Sequence, residues 1–120
     1  MLDTRLGAVE TRFADIVWEN APVSTKRLVE ICKEVLEWKR TTTYTVLKKL
    51  CQRGLFKTEC GVVSALVTKE EYSAIRSEQF VDEAFGGSLP SFIAAFSKRK
   101  RLTEGELEQI KKMIARMEGD

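Results

Sequence analysis

Apolar residues recur every three or four positions in three stretches of the first 54 residues, and this spacing predicts amphipathic helices. The helices are predicted over residues 7–19, 24–35 and 38–54, with Ser24 as the N-cap of the second. Gly54 suits the end of the third helix, because glycine readily adopts the backbone conformation that terminates one. The positions predicted to face a common core are Leu6, Val9, Phe13, Ile16, Val17, Leu28, Ile31, Cys32, Val35, Thr43, Val46, Leu47 and Leu50.

After Gly54 the pattern changes to that of short β-strands, over residues 55–59 and 62–67. Cys60-Gly61 separates the two stretches and predicts a hairpin turn. Three helices followed by a hairpin is the order of a winged helix-turn-helix, in which the third helix enters the major groove of DNA. The predicted fold class is therefore mainly α with a small β-hairpin, and a helical region follows the winged helix.

The helical period returns after the hairpin. Thr68 suits the N-cap of one helix, Ser88 caps the next, and Thr103 with Glu106 forms a capping box that opens the last. Gly86-Gly87 ends the first of these helices, just after Phe85.

Residues 69–120 carry many large apolar side chains but little else to cover them, because a small helical hairpin has little interior of its own. One copy of the segment folding back on the winged helix is one way to cover them, and a second copy covers them better. We therefore predict a winged-helix DNA-binding domain over residues 1–68 and a helical homodimerisation domain over 69–120. The predicted dimer interface comprises Phe80, Ala84, Phe85, Leu89, Phe92, Ile93, Phe96, Leu107, Ile110, Ile114 and Met117.

The third predicted helix has an uneven distribution of charge. No Asp or Glu occurs from Trp38 to Thr58, whereas ordinary solvated helices usually mix both signs. Cations and hydroxyls without acids suit phosphates and base edges, so this helix is predicted to bind double-stranded DNA. An ordinary solvated helix is the alternative. The predicted DNA-binding residues are Lys39, Arg40, Thr41, Tyr44, Thr45, Lys48 and Lys49 in the helix and Lys57 in the wing.

Composition narrows the classes of function. Residues 1–69 hold 12 Lys/Arg against 8 Asp/Glu, and residues 70–120 hold 8 against 10, so the first part suits a polyanion. The absence of histidine removes His-based acid–base catalysis, His-activated nucleophiles and His-containing zinc sites. The three cysteines lack metal-site spacing and fit a reducing cytosol. We predict a cytoplasmic protein that is not an enzyme, inserts in no membrane and needs no metal or cofactor.

Several motifs follow one another in a defined order. They are Leu6-Gly7-Ala8-Val9-Glu10, Ile16-Val17-Trp18, Trp38 with Arg40-Thr41-Thr42-Thr43-Tyr44-Thr45-Val46-Leu47, Leu50-x-x-x-Gly54-Leu55, Glu71-Tyr72, Phe85-Gly86-Gly87-Ser88 and Leu102-Thr103-x-x-Glu106-Leu107. Together they resemble the penicillinase-repressor family of the BlaI/MecI type, to which the copper-responsive CopY repressors are related. The likeness covers nearly the whole chain, and its most specific part is the third helix.

The resemblance implies a homodimeric repressor that occupies a palindromic operator, with TACA and TGTA half-sites in similar repressors. It also implies a regulatory protease or sensor protein as a partner, because family members are released by cleavage within the dimerisation region. The matching bond joins Ala95 and Phe96, where the family has Asn–Phe, so this is the candidate cleavage site with its Asn missing. By resemblance, Thr41, Thr42, Tyr44 and Thr45 face the groove, and Lys39, Arg40, Lys48 and Lys49 neutralise phosphates.

Two features set this chain apart from its relatives. No cysteine follows Cys60, which argues against copper sensing through a C-terminal thiolate cluster. The basic run Lys98-Arg99-Lys100-Arg101 is predicted to lie between two helices, as a DNA-backbone contact, a cleavable linker or a solvated loop. The competing function for the whole chain is a winged-helix protein-interaction module that dimerises without binding DNA.

Overall fold

The structure is a computed structural model that describes residues 5–119 of the chain. Within that range it has six helices and one antiparallel sheet of three strands. This architecture confirms the predicted fold class, a winged helix-turn-helix followed by a helical region. In chain order the elements are α1 Ala8–Asn20, β1 Val23–Ser24, α2 Thr25–Leu36, α3 Arg40–Gln52, β2 Phe56–Glu59, β3 Val62–Ala65, α4 Lys69–Phe85, α5 Leu89–Arg99 and α6 Glu104–Glu118.

Local capping chemistry fixes where several helices begin. The Ser24 hydroxyl accepts a hydrogen bond from the Arg27 amide at 3.0 Å, which confirms Ser24 as the N-cap of α2. Thr103 and Glu106 form the predicted reciprocal capping box of α6, with hydrogen bonds of 2.9 and 3.1 Å. Between α2 and α3 the chain turns through Glu37, whose φ of 58° is left-handed. That turn separates the two helices of the helix-turn-helix.

The wing is a hairpin of β2 and β3, as predicted. Its turn consists of Cys60 and Gly61, whose φ angles of 52° and 73° fit a tight hairpin turn. A further strand, β1, pairs with β3 and places Val23 opposite Val63. The sequence did not predict β1, because two residues are too few to show the alternation of a strand.

The first compact unit ends at Glu78, and its core lies between α1, α2, α3 and the sheet. Val9 and Val35 were predicted to face this core, but they are 55% and 52% exposed. Each lies one residue from a helix end, where the apolar face extends past the side chains that pack against it. The largest fully buried side chains are Phe13, Phe56, Leu28, Leu50, Leu55, Val17, Val63, Thr43 and Cys32.

Trp18 joins α1 to the sheet and to the start of α4. Its ring meets Phe56 edge-on with centroids 5.5 Å apart, and it lies 5.2 Å from the ring of Tyr72. The Trp18 Nε1 donates a hydrogen bond to the Val67 carbonyl oxygen at 3.0 Å. These contacts hold the first turn of α4 on the winged helix. The predicted domain boundary after residue 68 falls inside this compact unit and stays a prediction.

The second compact unit begins at Gln79 and holds the end of α4 with α5 and α6. Phe80, Phe85, Phe92 and Phe96 form an aromatic cluster with neighbouring ring centroids 5.5 to 6.1 Å apart. No residue of α4, α5 or α6 is fully buried, so the apolar side chains of this unit remain accessible. Across residues 5–119, no helix combines the length and apolar character needed to cross a bilayer.

Replacing Trp18 with Phe is expected to lower the free energy of unfolding by about 0.5–1.5 kcal/mol more than Trp38→Phe does. Both indoles pack against the core, but within the described chain only Trp18 donates a hydrogen bond from its ring, to Val67. Urea unfolding at one fixed protein concentration, followed by circular dichroism, measures both losses. Equal losses would show that this hydrogen bond adds nothing to stability.

Candidate nucleic-acid interface

The rotation of α3 about its axis is fixed by the residues on its buried side. Leu47 and Leu50 lie in the core, and Thr43, one turn before Leu47, is 1% exposed. The Thr43 hydroxyl donates to the Lys39 carbonyl oxygen at 3.3 Å, so its burial leaves no donor unsatisfied. Because this side is held in the core, the residues on the opposite side of α3 face solvent.

Four exposed side chains share that opposite side, at successive spacings of four, three and four residues: Thr41, Thr45, Lys48 and Gln52. The first three were predicted to contact DNA. Sequence reasoning missed Gln52, although its spacing of four from Lys48 and seven from Thr45 was the signal that places it there. A carboxamide pairs with adenine through two hydrogen bonds, so Gln52 is well suited to read a base.

Thr45 presents a defined chemistry, because its hydroxyl proton is already in use. The hydroxyl donates to the Thr41 carbonyl oxygen, one turn earlier, at 2.9 Å. The Thr45 oxygen is therefore left as a hydrogen-bond acceptor. An acceptor pairs with the amino group of adenine or cytosine, and the threonine methyl packs on a thymine methyl.

Tyr44 lies at the side of this exposed face, and two neighbours orient it. The Arg40 guanidinium carbon lies 5.6 Å from the centre of the Tyr44 ring, which is a cation–π distance. A hydrogen bond with the Thr25 hydroxyl is the main cause that lowers the pKa of Tyr44, and Arg40 adds to it. The Thr25 amide also donates to the Gly61 carbonyl oxygen at 2.9 Å. Thr25 thus connects the turn of the wing to a side chain of α3.

A groove of about 370 Å³ runs beside α3, between the start of α2 and strand β2. Its exposed lining is mainly apolar, and Thr58 and Lys48 at its edge are residue types that contact phosphates. A second hollow, of about 510 Å³, lies at the start of α3 with Lys33, Lys39 and Arg40 on its rim beside Glu37. The first groove is lined by Thr25, Tyr44, Leu47, Lys48, Cys51 and Thr58.

Two of the predicted DNA-binding cations already have acidic partners. Lys49 Nζ lies 3.0 Å from Glu10 Oε2, and Lys57 Nζ lies 3.4 Å from Glu59 Oε2. The acid-free stretch from residue 38 to 58 gives no sign of the first pair, because Glu10 belongs to α1 and only the fold brings it to α3. The predicted cations without an ion-pair partner in the described chain are Lys39, Arg40 and Lys48.

The cysteines show no arrangement for metal binding. Cys32 is buried, Cys51 is half-buried in the groove, Cys60 is exposed in the wing turn, and all three are free. Burial raises the pKa of the Cys32 thiol, which keeps it protonated at neutral pH. Among the residues that the structure describes, no three His, Cys, Asp or Glu side chains are grouped closely enough to hold a metal ion.

The candidate cleavage site lies in the middle of α5. The Lys100 amide donates to the Phe96 carbonyl oxygen at 2.9 Å, so the residues after the Ala95-Phe96 bond are in intact helix. A protease acts on opened chain, so α5 must unfold locally before this bond is cut.

Exposure differs along the predicted dimer interface, but each of its eleven residues keeps accessible surface.

The basic run was predicted to lie between two helices, and half of that prediction is wrong. Lys98 and Arg99 form the last turn of α5, and Lys100 and Arg101 follow it. Cations in the last turn of a helix interact favourably with the partial negative charge of its C-terminus. This local effect favours helical structure over the first two residues of the basic run.

The similarity of this chain to known proteins extends over both compact units. The sequence model of the family described as "Penicillinase repressor" matches residues 6–116. The penicillinase repressor of Bacillus licheniformis is 17% identical over 114 residues, which span 92% of this chain and 89% of that protein. The match includes α3 and the helices that follow the wing. The matched residues make up far more than half of this chain, so the chain belongs to the penicillinase repressor family.

Proposed function

We propose that this chain is a dimeric, sequence-specific DNA-binding transcriptional repressor that occupies a palindromic operator and is released when the dimer is disrupted. Membership of the penicillinase repressor family supports a DNA-binding regulator rather than an enzyme. The observation that carries the proposal is the exposed side of α3, where Thr41, Thr45, Lys48 and Gln52 offer polar groups and one cation without an acid. Such a surface fits the major groove of duplex DNA.

The described contacts support different roles for the exposed side chains of α3, some of which contact bases and others phosphates. Thr45 offers an acceptor and Gln52 a carboxamide, and these groups read base edges. Lys48 neutralises a phosphate, because its ammonium meets no acid in the described chain. The Thr58 hydroxyl, in the groove beside α3, then helps to hold the sugar–phosphate backbone in register.

A homodimer formed through the second compact unit is part of the proposal. Ile93, Phe96 and Ile114 are 44%, 43% and 49% exposed, and a second copy of the same surface would remove them from water. One recognition helix contacts too few base pairs to discriminate against a genome, whereas two helices on a dimer read two half-sites at a fixed spacing.

Release through loss of the dimer follows from the same arrangement. A cut between Ala95 and Phe96 would divide α5, which carries part of the proposed interface. The half-site affinity of each separated copy would remain, but the joint occupancy of two half-sites would be lost. A regulatory protease or sensor as partner, and a cytoplasmic location, belong to the proposal on the strength of the family likeness.

Fluorescence anisotropy with a labelled duplex carrying a TACA-to-TGTA palindrome tests the proposed function against a scrambled duplex at two salt concentrations. We expect at least about a thousandfold preference for the palindrome, the lower end of the range for specific DNA-binding proteins. Weak and equal binding to both duplexes would reject this operator. Absence of binding at low salt would reject DNA binding and favour a protein-interaction module.

Gln52→Ala and Lys48→Gln are expected to weaken binding in different ways. Loss of a base contact costs about 1–3 kcal/mol on the palindrome and little on scrambled DNA. Loss of a phosphate contact weakens both complexes and lowers the slope of log affinity against log salt by about one. Each variant is the control for the other in the same anisotropy titration. Identical effects of the two changes on both duplexes would contradict the assignment of bases to Gln52 and phosphate to Lys48.

Ile93→Glu is expected to convert the protein to a monomer, because a charge would be buried in the proposed interface. Leu66→Glu is the matched control, since Leu66 is a similarly exposed apolar residue in the first compact unit. Sedimentation velocity measures the mass, and anisotropy measures operator affinity. Dimerisation by another surface would be indicated if Ile93→Glu leaves the mass unchanged or Leu66→Glu alone reduces it.

A further inference from the structure

The recognition helix contains no acid of its own, yet an acidic side chain from α1 reaches it. Glu10 Oε2 lies 3.0 Å from Lys49 Nζ, and Glu10 Oε1 lies 3.6 Å from Arg53 Nη1. Lys49 belongs to α3, and Arg53 follows its last residue. The carboxylate therefore pairs with two cations of the acid-free stretch from residue 38 to 58.

Several contacts hold the Glu10 carboxylate in this position. Its Oε1 accepts a hydrogen bond from the Gly7 amide at 3.0 Å, which is half of the capping box of α1. The side chain is only 18% exposed, and the Oε2 atom is buried. The Gly7 hydrogen bond, followed by the Lys49 ammonium, lowers the pKa of Glu10, so the group is ionised at neutral pH.

This anchoring has a consequence for the Lys49 charge. If the Lys49 ammonium moved to a phosphate, the buried Oε2 of Glu10 would lose the cation that compensates it, at an electrostatic cost. Lys48, the neighbouring cation, has no such partner in the described chain and points about 100° away from Lys49 around the helix axis. The two adjacent lysines of α3 are therefore not equivalent.

We infer that Glu10 is a specificity-determining residue, which withholds Lys49 from the DNA backbone and so limits non-specific binding. This inference rests on the proposed DNA-binding function. Phosphate neutralisation supplies essentially all non-specific affinity, whereas base contacts supply discrimination. A cation kept from the backbone lowers affinity for every sequence, and it lowers the competition from non-operator DNA. Arg53, which also donates to the Arg5 carbonyl oxygen, anchors the other oxygen of Glu10.

Glu10→Gln tests this role, because the amide oxygen still accepts the Gly7 hydrogen bond but no longer pairs with Lys49. With scrambled duplex, the slope of log affinity against log salt is expected to steepen by about one. A fourfold rise in salt then costs the variant about three- to fourfold more affinity than it costs the wild type. At low salt the variant is expected to bind scrambled DNA more tightly, and its preference for the palindrome is expected to fall.

Two further variants separate this effect from a general change of charge. Glu19→Gln removes an exposed acid from the same helix and controls for net charge, so its slope is expected to match the wild type. Glu10→Gln with Lys49→Gln is expected to return the slope to the wild-type value, because the released cation is then absent. Circular dichroism and urea unfolding establish that each variant is folded.

The result that overturns the inference is a slope for Glu10→Gln no steeper than that for Glu19→Gln. A purely structural ion pair would give that result, with a loss of stability or a fall in affinity for both duplexes. Failure of the proposed function has a different signature, because the wild type itself would then show no preference for the palindrome. A steeper slope that persists in the double variant would also reject Lys49 as the withheld cation.

Discussion

Burial of one side of α3 fixes the rotation of this helix about its own axis. Leu47, Leu50 and Thr43 are held in the core by α1, α2 and the sheet, so α3 cannot rotate without exposing them. Close packing makes such a rotation costly, because cores tolerate neither voids nor overlap. The direction in which Thr45 and Gln52 point is therefore a property of the core and not of the exposed surface.

The elements around α3 also determine its electrostatics. On one side, Thr25 connects the wing turn to Tyr44 and contributes to the groove beside Lys48. On the other side, Glu10 compensates Lys49. Two adjacent positions of one helix thus carry Lys48, which has no acidic partner in the described chain, and Lys49, which is paired with Glu10. The helix therefore offers fewer unpaired cations than its composition indicates, which under the proposed function favours reading bases over attraction to any duplex.

Much of the fold follows from local signals that the sequence displays directly. Ser24, Thr103 and Cys60-Gly61 mark a helix start, a capping box and a hairpin turn through their own backbone chemistry, and the structure confirms each. Strand β1 and the exposure of Val35 were not predictable in this way. The strand is only two residues long, and the exposure depends on where neighbouring elements end.

The candidate site was predictable where it depends on helical spacing and not where it depends on the fold. Thr41, Thr45 and Lys48 share a face by spacing alone, and the same spacing identifies Gln52. The pairing of Lys49 with Glu10 joins residues far apart in the chain, so no local pattern reveals it. The accessible aromatic cluster of the second unit follows from composition, because three short helices cannot bury so many apolar side chains.

Base reading by the exposed side of α3 is the step on which the proposed function depends. Amide nuclear magnetic resonance of isotope-labelled protein, titrated with the TACA-to-TGTA palindrome and then with scrambled duplex, tests it most directly. If α3 reads the operator, the palindrome shifts the amide signals of Thr41, Thr45, Lys48 and the Gln52 side chain, and scrambled DNA shifts them less. Shifts confined to α5 and α6, or the same pattern with both duplexes, would contradict it.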